Sequence, residues 1–525
     1  MQGILVLHLH AHLPFVHHPE HEHFLEEDWL YEAITETYIP LLSRLEVLAD
    51  EGIPFRISMT LSPPLVQMLR NDLLCARYER RLDALCELAE REVERTRHEP
   101  AFHKTARFYR DHFFHTRWLW HERYRRDLVG AFRALQDRSC LEIVTCGATH
   151  GFLPLMQPRP ELVRAQVAVA VAHYRRHFGR DPFGIWLPEC GYYPGLDRVL
   201  AEENLRYFFV DTHGITDATP RTRHGPYVPI FTPSEVAAFG RDPESSEQVW
   251  SAELGYPGDF DYRDFYRDIG FDLDWEYVRP YVQPDGQRKS TGFKYHRITG
   301  KTDRKEPWDW EVAFRRAEEH AANFVFNRER QFEHLNSALG GRTPVVVAPY
   351  DAELFGHWWF EGPVFLEHVI RRAAQQPHFR LGTCSDYLQE NPTNQVATPP
   401  MCSWGAGGYA GVWLDGSNDW IYRHLLYAGK RMVELAEREP SSPLEKRALD
   451  QAARELLLAQ SSDWAFIMKT GTMVDYAVRR TTEHVSNFLR LDEEIRNRRI
   501  DENWLGWLEF RNAIFPEIDY RIYRS

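Results

Sequence analysis

The chain has 525 residues, 43% of them hydrophobic and 27% charged, which is enough apolar material for a large core in several domains or one enlarged barrel. A net charge of -14 and a pI near 6.0 leave no broad basic surface, so nucleic acid and anionic membrane are excluded as main partners and a neutral substrate is favoured. The start "MQGILVLHLHAHLPF" has no basic leader and no long apolar span occurs, while seven scattered cysteines show no paired metal-ligand spacing. A cytoplasmic, reduced, membrane-free protein is expected.

In chain order, short apolar runs ending in turn residues predict strands at "GILVLHLHAHLP", "IPFRISMTLSPP", "LEIVTCGATHGFLP", "GIWLPECGYYP", "LRYFFVDTHGI" and "TPVVVAPYDAELFG". Helical segments lie between several of them, which is the pattern of a parallel sheet or barrel. No glycine falls between Gly52 and Gly130, and "LLCARYERRLDALCELAEREVERTRHE" and "TARFYRDHFFHTRWLWHERYRRDLVGAFRAL" read as two long amphipathic helices of an insertion. Beyond about Gly416 the strand signals stop. "LLYAGKRMVELAERE", "PLEKRALDQAARELLLAQ" and "TTEHVSNFLRLDEEIRN" read as a helical C-terminal region that packs on the barrel, since no low-complexity linker precedes it.

Strand parity places Ile185, Leu187 and Glu189 together on one face of their strand, and likewise Val345, Val347 and Asp351 together on one face of theirs. Each run thus ends on an acid at its C-terminal end, the end where parallel barrels carry their active sites. His8, His10 and His12 alternate along the first run until Pro14 stops it, so at least His10 and His12 reach that same end. Three readings of the histidines stay open: satisfied core residues, neutral hydrogen-bond partners of a polar ligand, or a metal pair completed by His150, Asp211 and His213. Five of the 16 tryptophans, Trp250, Trp358, Trp359, Trp404 and Trp413, sit in polar, glycine-flanked contexts, where flat faces beside hydrogen-bonding groups suit sugar rings. Two acids, histidines and aromatics point to glycosidic-bond chemistry, in which one carboxyl protonates the leaving oxygen and the other attacks or activates water.

"HAHLP", "GATHGFLP", "WLPECGYYP", "PYDAELFGHWWFEG" and "SSDW" resemble, in order, the five sequence regions of glycoside hydrolase family 57. Within it the likeness is greatest to the 1,4-α-glucan branching enzymes. That resemblance implies an α/β fold with an incomplete TIM-like (β/α)7 barrel over residues 1–72 and 131–400, an inserted helical domain over 73–130 and a C-terminal helical domain over 401–525. It implies Glu189 as catalytic nucleophile and Asp351 as general acid/base of a retaining displacement, with His10, His12 and His150 on the sugar. Trp250, Trp404, Trp413, Asp463 and Trp464 are expected around the glucan groove, and Tyr227 in the loop "RHGPYVPIF" resembles a tyrosine that caps the site. His12-Leu13-Pro14 departs from the His-Gln-Pro of many members, which removes any contact owed to the glutamine.

The expected activity is cleavage of an α-1,4 bond and transfer of the chain to a 6-hydroxyl, making an α-1,6 branch in glycogen synthesis. No cofactor and no metal are implied, and a monomer acting on α-1,4-glucan is expected. An α-amylase-type hydrolase or a 4-α-glucanotransferase on the same scaffold is the alternative. A metal-dependent hydrolase and a non-catalytic glucan-binding protein are the remaining readings.

Overall fold

A computed structural model describes residues 3–251, 255–282 and 286–525. Its strands are Gly3–Ala11 (β1), Ile57–Leu61 (β2), Leu141–Val144 (β3), Gly184–Ile185 (β4), Tyr207–Val210 (β5), Ile230–Phe231 (β6), Ala237–Gly240 (β7), Val345–Asp351 (β8), Phe379–Leu381 (β9) and Gln395–Val396 (β10). β8, β1, β2 and β3 run side by side and parallel, as do β4, β5 and β7. Two parallel bridges join these sets, Thr145 with Ile185 and Arg241 with Val347. The ring therefore closes through seven parallel strands in the order β1-β2-β3-β4-β5-β7-β8. β6 pairs antiparallel to β7, and β9 and β10 stand off the ring on β1 and β6.

Alternation along the strands separates two cores. Ile4, Val6, Val144, Tyr207, Phe209, Phe239, Val345 and Val347 meet inside the ring, whereas Leu5, Leu7 and Leu9 pack outward under the helices. Both faces of β1 are buried, which is why its sequence is an unbroken apolar run apart from histidines. His8 is the satisfied core residue of the three: its Nδ1 pairs with Ser58 Oγ at 3.0 Å and its Nε2 with Thr60 Oγ1 at 2.9 Å. Burial lowers its pKa to about 3, so it stays neutral.

The insertion contains a hairpin of Asp72–Arg95 against Pro100–Trp118, and the Asn71 side chain caps the first helix at the Leu74 N–H. The second long helix expected from sequence is broken. After a π-turn at Leu119–Arg123 the chain takes left-handed conformations at Arg125 and Arg126, and a new helix starts at Leu128 with the Asp127 side chain as its cap. The hairpin is also braced from far along the chain, because Tyr277 and Tyr295 donate to Glu92 at 2.7 and 2.8 Å.

The C-terminal helices Trp420–Ala436, Pro443–Ala459 and Val474–Asn497 lie where they are expected, and two further helices, Ser462–Thr470 and Glu502–Arg511, join them. They dock on the barrel by hydrogen bonds from the Ser462 N–H to the His150 carbonyl and from Gln166 to Gln460, each 2.9 Å.

Candidate active site

Glu189 does not reach the site by strand parity. β4 ends at Ile185, and Pro188–Cys190 form a tight turn in which Glu189 itself has φ 61°, a left-handed conformation that a non-glycine residue adopts at a cost. Its two carboxylate oxygens are held separately: Oε2 accepts from Trp404 Nε1 and Oε1 from Ser462 Oγ, both at 2.8 Å. The Trp404 N–H in turn donates to the Glu189 carbonyl at 2.9 Å. Burial pushes the carboxyl pKa up to about 7 against the pull of these two donors.

Asp351 does follow parity. It ends β8, pairs in register with His10, and stands in line with Val345 and Val347. Burial, then the neighbouring Glu353 and Glu189, hold its pKa well above the usual carboxylate range. Glu353 is a third buried acid at the same mouth, raised by burial to about 7. It accepts from the Tyr38 hydroxyl and from the His12 N–H at 3.2 Å. Buried carboxyls gathered at one mouth, each raised by burial, are the kind of groups that glycosidic cleavage divides between proton donor and second carboxylate.

The histidines form a stack, with His12 on His150 at 3.8 Å between ring centres and His10 on Trp186 at 5.0 Å. Their tautomers are assigned from the network. Ser462 spends its hydroxyl proton on Glu189, so His150 Nδ1, 2.8 Å away, donates to Ser462. Burial keeps His10 and His150 neutral, so His150 Nε2 accepts and His10 Nε2 donates across 3.0 Å. His10 Nδ1 is left as a buried acceptor with no partner among the described residues. His12 differs: burial alone would lower its pKa, but Asp463, 3.0 Å from its Nε2, raises it. The same pairing overcomes burial at Asp463 and brings its carboxyl down to about 2, so the pair is ionic.

His10, Cys146 and His150, and also His12, His150 and Asp463, bring donor atoms within 4.8 Å of one another. The wider metal set considered from sequence does not assemble. His213 Nε2 bonds the Gly408 carbonyl at 2.8 Å, and Asp211 caps the Thr212 N–H at 2.7 Å.

These groups open on one cavity of about 670 Å³ lined by His10, His12, His150, Glu189, Asp351 and Asp463, with Trp250, Trp404 and Trp413 among its walls. Two sequence candidates are not in that wall. Trp464 is buried and donates its indole N–H to the Leu458 carbonyl at 2.9 Å, so it packs in the C-terminal core. Tyr227 lies half-buried in the turn Gly225–Tyr227 with its hydroxyl toward Gln331 and Asp242, which fixes it against the barrel. Arg241, Glu353 and Phe466 line the cavity without having been singled out as substrate contacts, and Trp358, one of the tryptophans whose context suits a sugar ring, lines it too. Ser462, the direct partner of Glu189, lies inside the quoted "SSDW" yet reads there as an ordinary helix-start serine.

Buried acids at one cavity with a wall of indoles are the groups that glycosidic-bond chemistry uses. The profile described as glycosyl hydrolase family 57 matches residues 6–400, and the chain belongs to that family. A second profile, 1,4-alpha-glucan branching enzyme, C-terminal, matches residues 424–523. The 1,4-alpha-glucan branching enzyme of Thermococcus kodakarensis is 35% identical over 94% of this chain and 74% of its own length. Its crystal structure, in complex with glucose and additives, superposes with a TM-score of 0.90 at 34% identity, covering 100% of this chain and 97% of that one. The crystal structure of the novel alpha-amylase AmyC from Thermotoga maritima is 50% identical, with a TM-score of 0.94 and coverage of 100% and 99%.

Proposed function

We propose that this chain is a retaining 1,4-α-glucan branching enzyme. The observation that carries the reading is the meeting at one cavity of Glu189, held by Trp404 and Ser462, with the buried Asp351, whose carboxyl burial and two neighbouring acids push above the usual range. In the first step the Glu189 carboxylate attacks the anomeric carbon while Asp351 gives its proton to the leaving oxygen. In the second, the Asp351 carboxylate takes the proton of an acceptor 6-hydroxyl, whose oxygen displaces Glu189 and completes the α-1,6 bond.

The C-terminal branching-enzyme profile supports transfer over hydrolysis, as does an apolar wall of Leu13, Trp250, Leu354, Val412 and Phe466 that disfavours water at the intermediate. The 50% identical α-amylase supports a second reading, in which water is the acceptor. Linkage analysis on amylose separates them: branching yields α-1,6 linkages in excess of new reducing ends, and hydrolysis yields reducing ends alone. We further place the enzyme in the cytoplasm as a monomer serving glycogen synthesis. Its seven unpaired cysteines, and the lack among described residues of any helix long and apolar enough to cross a membrane, support that location.

A further inference from the structure

We propose that Trp358, Phe265 and Tyr266 form an outer platform that stacks on a long α-1,4-glucan beyond the catalytic cavity. The proposal rests on the glucan reading above. Trp358 joins the two regions: it lines the cavity and still leaves 54% of its surface exposed. Phe265 lies on it with ring centres 4.4 Å apart and planes 24° apart. Tyr266 meets Phe265 edge-on at 5.3 Å and is 81% exposed, so a large ring faces water immediately beside the cavity rim. Apolar surface left in water costs free energy unless a ligand covers it.

The ridge is built and held. The buried Asp264 carboxylate accepts from the backbone N–H groups of Tyr266 and Arg267, each at 2.9 Å, and pairs with Lys305 at 3.2 Å. Lys294 donates to the Phe265 carbonyl at 2.6 Å and stands over its ring at 5.2 Å. On the other side, Gly356 has φ +117° and comes so close to the π-turn Ile34–Tyr38 that a Cβ there would lie 1.8 Å from the Glu36 carbonyl oxygen. His357 then bonds Glu36 Oε2 at 2.6 Å, which fixes the backbone that carries Trp358. Rings fixed in advance lose little freedom on binding. Sugar rings present flat C–H faces that pack on aromatics, and the continuity of the ridge with the cavity makes the substrate chain its occupant.

The test is calorimetric titration of full-length Glu189→Gln protein, which binds without turnover, with amylose and with maltotriose. Adding Tyr266→Ala is expected to weaken amylose roughly 2- to 10-fold, the worth of one aromatic contact, and to leave maltotriose unchanged. Tyr266→Phe, which keeps the ring, is expected to restore amylose binding. Unchanged amylose affinity in Tyr266→Ala overturns the platform. So does an equal loss for both sugars, which would mean a disturbed cavity. A parent protein that binds neither sugar overturns the platform and the glucan reading together.

Discussion

Replacing Glu189 by Gln removes one charge and keeps the shape, and the structure sets what this does to stability as well as to activity. Trp404 Nε1 still finds the amide oxygen, and the Ser462 hydroxyl turns to accept from the amide nitrogen. In the wild type, burial raises the Glu189 pKa from an ordinary 4.5 to about 7. A carboxyl raised in the folded state binds its proton more tightly folded than unfolded. Its contribution is therefore fully favourable below the unfolded value and is lost as pH rises through the folded one. The loss amounts to about 3 kcal/mol between roughly pH 4.5 and 7. The variant lacks this loss. Its Tm is expected to match the wild type near pH 4.5 and to exceed it by about 3 °C above pH 7, at roughly 1 °C per kcal/mol for a chain of this length. Calorimetric scans of both proteins across that range, with amylose turnover measured alongside, provide the test. A Tm gap that stays flat with pH would refute the raised pKa, and near-normal turnover would refute the nucleophile.

Asp351→Asn removes the proton donor, and amylose cleavage is expected to fall by about 10²–10⁴-fold or more while the fold persists; activity within a few-fold of wild type would move the role to Glu353. Activity is expected to survive exhaustive chelation, because neither step of the displacement uses a cation; stoichiometric zinc whose removal abolishes turnover would instead assign His12, His150 and Asp463 to a metal. Tyr227 is packed toward Asp242 and Gln331 outside the cavity wall, so Tyr227→Ala is expected to lower cleavage and branching in proportion. A selective loss of α-1,6 linkages would restore the capping role that its loop resembles.

The histidine strand was legible because period-2 alternation survives burial: His10 and His12 reach the mouth of the barrel and His8 stays below them, as β1 dictates. Asp351 was legible for the same reason. Glu189 pointed to the right place by motif and to the wrong geometry by periodicity, because proline at 188 ends the strand signal and no propensity announces a left-handed glutamate. Tyr38 carries no sequence mark. It reaches Glu353 from a π-turn, and such turns have no pattern distinct from the surrounding helix. The closure of the ring was equally hidden, since it depends on single-residue bridges at Thr145 and Arg241. The helix break after Trp118 escaped because Arg125 and Arg126 are good helix formers held left-handed by the tertiary structure.

Whether the glycosyl chain is held on Glu189 between donor and acceptor is tested most directly by trapping. Incubation with a 5-fluoro-α-glycosyl fluoride, which slows the second step, followed by proteolysis and mass spectrometry, locates the covalent sugar. Attachment of one sugar to the peptide Gly184–Pro194 at Glu189, lost in Glu189→Gln, is the predicted result. A sugar found on Asp351 or Glu353, or turnover of the reagent with no covalent adduct and an inverted product, would contradict it.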